Sequence, residues 1–70
     1  MNYELFDVVA LAHDIPGEGV KAGDKGVVIE LLDSLENVYL VEFCDDKGGT
    51  IALIQLSESQ LTIPAMRKAA

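Results

Sequence analysis

Few residues in this chain have chemical capacity, and their spacing decides what they can do. His13 is the single histidine and precedes Asp14. A general base needs an imidazole oriented by a carboxylate and facing a nucleophile, which two adjacent loop residues do not provide. Cys44 is the single cysteine and stands before Asp45 and Asp46. Reactive thiolates occupy positive surroundings, so an inert thiol is expected. With His13 as the only other soft ligand, a zinc site within one chain lacks its ligand set. Glu42, Asp45 and Asp46 offer oxygen ligands, but Lys47-Gly48-Gly49 interrupts the alternating series a calcium loop requires, and a solvated hairpin tip is expected. Gly17 to Gly26 is glycine-rich, yet it has no Gly-Lys-Ser or Gly-Lys-Thr and no following helix to hold an anion. The expectation is a chain with no catalytic residues, no cofactor and no metal: not an enzyme.

The elements that position these residues read as strands. Pro16, Gly17, Gly19, Gly23 and Gly26 make His13 to Gly26 a segment of turns. Before it, Leu5 to Leu11 reads as a strand, with Phe6, Val8 and Ala10 opposite Asp7. After it, Val27 to Leu32 reads as a second, with Val27, Ile29 and Leu31 toward the core and Glu30 away. Asp33-Ser34-Leu35-Glu36-Asn37 supplies a turn into Val38 to Cys44, whose core face is Tyr39, Val41 and Phe43. Asp45 to Gly49 is a hairpin loop, since aspartate and glycine suit such turns. Thr50 to Leu56 follows, with Ala52, Ile54 and Leu56 inward. Ser57 to Gln60 reads as one 3₁₀ turn capped by Ser57, Leu61 to Ile63 as a short last strand, and Pro64 as its stop. The predicted architecture is all-β: a small five-stranded antiparallel SH3-like barrel over residues 1–64, closed so that its sheet edges disappear, with a flexible tail at 65–70.

Composition bounds the partners. Seventy residues make one domain, and 50% apolar residues exclude a disordered chain. The first residues lack the basic region of a secretory signal, no run approaches a membrane span, and one unpaired cysteine suits a reducing compartment, so a cytoplasmic protein is expected. The net charge of -7 argues against binding nucleic acid through its phosphates. Up to residue 64, three lysines face all twelve acids, a net of -9, while Arg67 and Lys68 stand in the tail.

The outward strand faces carry more apolar residues than water contact requires. If the inward faces are as assigned, Val28, Val38, Leu40, Ile51 and Leu53 point outward, with Glu30, Glu42 and Gln55 between them. An apolar patch of this kind suits a protein partner, including a second copy. The candidate contact residues are Val28, Glu30, Val38, Leu40, Glu42, Ile51 and Leu53, with Asp45 and Asp46 at the rim. Acids around an apolar centre match a basic partner.

The strings Tyr3 to Leu11, Lys21 to Val28, Thr50 to Leu53 and Leu61 to Ile63 resemble short bacterial proteins of domain-of-unknown-function family 4926. The resemblance runs from residue 3 to 63. It implies an SH3-like barrel in a bacterial protein, no established catalytic residues, and a place among neighbouring small proteins that suits an antitoxin or immunity role. Ala22 to Val28 also resembles the glycine-bearing turn of KOW-type barrels, without the basic and aromatic residues that RNA binders place around it. The expected function is a non-enzymatic protein-binding module that neutralises a basic partner, independent of nucleic acid and membrane. The alternatives are a small accessory subunit that positions or activates a larger enzyme, and a KOW-like nucleic-acid-binding domain.

Overall fold

Runs of β-branched and aromatic residues form the strands. In a computed structural model describing residues 3–33 and 35–64, these are β1 (Val8–Leu11), β2 (Lys25–Asp33), β3 (Val38–Cys44), β4 (Thr50–Ser57) and β5 (Leu61–Thr62). The expected tail at 65–70, with Arg67 and Lys68, and Ser34 of the expected turn lie outside the described residues. One 3₁₀ turn, Glu58–Gln60, precedes β5. Its N-cap is Ser57, whose backbone N–H and hydroxyl both donate to Gln60 Oε1, at 2.9 and 3.1 Å. All pairings are antiparallel, in the order β4-β3-β2-β1-β5, and the sheet curls into an SH3-like half-barrel. The expected loss of edges does not occur: among the described residues β4 and β5 remain the two edges.

The inner face holds Val9, Leu11, Val28, Tyr39, Val41, Phe43, Ala52, Leu56 and Leu61, with Val20 contributed by the long loop. The inward assignments for β3 and β4 stand, with Ile54 packed against the core from its margin. Those for the first two strands do not. Leu5 and Phe6 form a turn, Phe6 has φ 69°, and β1 begins only at Val8. Val9 and Leu11 are core residues while Phe6 and Val8 are exposed, and Ala10 is buried as well. An apolar run such as Val-Val-Ala-Leu carries no alternation from which to read a face.

In β2 the phase is set by Gly26, which faces inward with Val28. A Cβ on Gly26 would lie 2.7 Å from Val41 Cγ1 and 2.9 Å from both Glu42 O and Phe43 Cδ2. Val27, expected in the core, is therefore on the outer face. A bulge follows: Val28 pairs with Val41 but Glu30 with Leu40, and a second shift separates Leu31 from Asp33. Each bulge inserts one residue and turns the strand over. Val28 and Glu30, two apart, thus fall on opposite faces, and Leu31 reaches the Tyr39 side only at the sheet's end, where it is half exposed.

The N-terminal segment is fastened by tyrosines. The Tyr3 backbone N–H donates to the Tyr39 hydroxyl at 3.1 Å, and the rings meet edge to face with centroids 5.6 Å apart. Burial, then the nearby charge of Glu58 and the presence of Tyr39 and Asp7, push the Tyr3 phenol above its ordinary value. The folded state therefore holds this proton more tightly than the unfolded chain.

Two outcomes are expected. Gly26→Ala lowers stability by about 1–3 kcal/mol in urea unfolding, because backbone and buried side chains must yield. The Tyr3 contribution is complete below about pH 10 and is lost as pH rises through the raised folded value. Urea midpoints at pH 8 and 11 should fall further for the wild type than for Tyr3→Phe.

Candidate interaction surface

The strand register places the outward side chains in rows. Val8 pairs with Val27, Val27 with Glu42, and Glu42 with Leu53, so one row crosses four strands. The next row is Glu30, Leu40 and Gln55, and the third is Asp33, Val38 and Ser57. Neighbouring strands lie about 4.8 Å apart, so members of a row touch. Val8 and Leu53 are each 54% exposed, while Val27, Val38, Leu40 and Glu42 are half-buried in the face. Glu42 Oε2 accepts a hydrogen bond from Thr50 Oγ1 at 2.6 Å, which holds one acid upright in the apolar row.

Glu30, Val38, Leu40, Glu42 and Leu53 therefore share one outer face. Val28 does not belong to it: this residue is fully buried, because the phase imposed at Gly26 turns it inward ahead of the bulge. Val8 and Val27 take its place. Their signal in the sequence was Gly26, since a glycine inside a strand marks close backbone approach. Ile51 occupies a further irregularity, where Phe43 pairs with Ala52 but Cys44 with Thr50, and it is 49% exposed. With Val20, Asp24, Lys25, Asp45 and Asp46 it lines a cleft of about 500 Å³ at one end of the half-barrel.

Most aspartates close turns. Asp7 Oδ2 accepts the Glu4 N–H, Asp14 Oδ1 that of Ala22, and Asp24 Oδ2 that of Lys21, each at 2.9 Å. Asp33 Oδ1 accepts from Leu35 and Glu36 at 2.9 and 3.1 Å. Asp45 Oδ1 accepts from Lys47 and Gly49 at 2.9 and 2.8 Å. Asp14 is thus engaged with Ala22 across the glycine-rich loop, and both it and its neighbour His13 are exposed. Cys44 is an exposed free thiol at the end of β3. Among the described residues no three His, Cys, Asp or Glu side chains gather as metal ligands would, and no helix is long and apolar enough to cross a membrane.

The family described as domain of unknown function DUF4926 matches residues 5–63. The chain belongs to the DUF4926 family. The matched span contains Gly26, both β2 bulges and all three outer rows, so this outer face lies wholly inside the DUF4926 domain. No curated protein and no solved structure matches the chain.

The Asp45 geometry separates acceptor from charge. Asp45→Asn keeps an oxygen acceptor and should hold the wild-type urea midpoint closely, while Asp45→Ala, leaving two turn N–H groups to water, should cost about 1 kcal/mol.

Proposed function

We propose that this DUF4926 protein is a non-enzymatic protein-binding module whose outer sheet face docks a basic partner in the cytoplasm. The observation that carries this reading is the row Val8, Val27, Glu42 and Leu53, apolar and solvent-facing at both ends with a fixed carboxylate inside it. The row beside it inverts the pattern, with apolar Leu40 between Glu30 and Gln55. Apolar area supplies the burial energy of such a contact, and the acids set orientation and speed of capture. A net charge of -7 on so small a chain extends that attraction beyond contact distance, screened over about 8 Å at physiological salt. The specific form we favour is an antitoxin or immunity-type protein, in which the acidic face covers and neutralises a more basic protein encoded beside it.

The test is co-expression with the product of the neighbouring gene, followed by size-exclusion chromatography. A complex should form, weaken as salt rises, and be lost in Leu53→Glu. That position is exposed but lies opposite Glu42, so the variant should stay folded while its stability falls by up to about 1 kcal/mol in urea unfolding. A Leu53→Glu chain that stays folded and binds unchanged removes the face from the reading.

A further inference from the structure

Strand β4 is a sheet edge whose ladder partner among the described residues is β3. An edge presents unpaired N–H and C=O groups, and proteins blunt it with charge, proline or brevity. The opposite edge is blunted in this way: β5 is two residues long, and Pro64 follows Ile63. Strand β4 has none of these guards. It runs for eight residues, Thr-Ile-Ala-Leu-Ile-Gln-Leu-Ser, without a charge or a proline. The glycine loop meets only its start, where a Cβ on Gly19 would come 3.9 Å from the Ile51 side chain at Cγ2, an ordinary contact distance.

Charge surrounds this neutral edge. Asp45 and Asp46 outnumber Lys47 in the hairpin ahead of it, Glu42 pairs with Leu53 at its middle, and Glu58 follows Ser57. We propose that the partner contributes an extended strand, apolar in its middle and cationic at its ends, that pairs with the β4 edge and continues the sheet. This rests on the protein-binding reading above and specifies how the partner is held. Main-chain hydrogen bonds along β4 supply the affinity, and Leu53 and Gln55 of the outer face flank the added strand. Eight residues at about 3.3 Å each set the cations about 26 Å apart.

A second copy fits the same edge poorly. Antiparallel pairing of two β4 strands lays the start of each beside the end of the other, bringing the Asp45-Asp46 hairpin of one toward Glu58 of the next. It also joins two bodies of charge -7. Like charges placed opposite one another are destabilising.

The probe is a blocked ten-residue peptide, two lysines at each end around alternating threonine and valine, added to the full chain. Amide hydrogen exchange read by NMR should show new protection along Thr50–Ser57. Alternate backbone N-methylation, made in both possible registers, keeps charge and side chains but removes the ladder donors. One of the two registers should lose affinity by about tenfold or more, and a peptide with glutamates for lysines should lose at least as much. Equal binding by both N-methylated peptides overturns strand addition and leaves docking on the face, so the broader reading survives. Protection of β4 that rises with protein concentration and salt, without peptide, assigns the edge to a second copy and also overturns the proposal. No protection at millimolar cationic peptide overturns it directly.

Discussion

At Gly26 the second strand passes so close to the third that one methyl group would collide with Val41, Glu42 and Phe43 at once. The outward side chains at the start of β2 follow from this approach. It sets Val28 inward and Val27 outward, and it aligns Val27 with Glu42 and Leu53 across the sheet. The bulge beyond Val28 then reverses the strand, so that Glu30 rather than Ile29 meets Leu40. A strand without that glycine and that bulge would present a different set of side chains to water. The close approach also brings a fully buried Val28 against Val41 and Phe43, the centre of a core that belongs to 70 residues only. A domain of this size buries a smaller share of its surface than a larger one, so the tightness of this contact weighs heavily in its stability.

The acidity of the chain has two origins. Asp7, Asp14, Asp24, Asp33 and Asp45 spend an oxygen on turn N–H groups, and their presence follows from the number of bends a short meander must make. Glu30 and Glu42 stand instead among apolar neighbours on the outer face. The two sets act together at long range, because a charge engaged in closing a turn still contributes to the field of the molecule. A protein built with aspartate turns acquires an anionic surface as a consequence of its fold, and the outer glutamates give that field a direction. Recognition of a basic partner thus builds on a charge that turn formation had already placed.

Face and edge meet at β4. Leu53 belongs to the apolar row, and the strand that carries it has no ladder partner among the described residues on its far side. Closure of the sheet would have removed that edge; the half-barrel keeps it because β5 is too short and lies beyond β1. The exposed Phe6, held at φ 69°, sits beside β2 through its N–H bond to Val28 O. A bulky residue in the left-handed region is strained, so the N-terminal turn adds exposed apolar area near Val8 at a local cost in stability.

The sequence by itself determined the number of strands, their order along the chain, the hairpin at Asp45 to Gly49, the 3₁₀ turn after Ser57, and the inward faces of β3 and β4. Each was legible because it is written in local chemistry: β-branched runs, aspartate and glycine at turns, and a glutamate or glutamine marking the wet side of an alternating strand. The family was legible in the same way, from strings between residues 3 and 63, and its match covers 5–63. The faces of β1 and β2 were not. Val8 to Leu11 alternates nothing, and the phase of β2 depends on a glycine that has no side chain to count. The candidate contact residues followed suit: Val38, Leu40, Glu42 and Leu53 lay on the expected side, whereas Val28 exchanged places with Val27 and Ile51 fell at the bulge beside the hairpin. Only the tertiary structure decided this, because a bulge and a close approach are properties of two strands together. The open edge at β4 is likewise a matter of which strands end up as neighbours, and no local pattern in the chain encodes it.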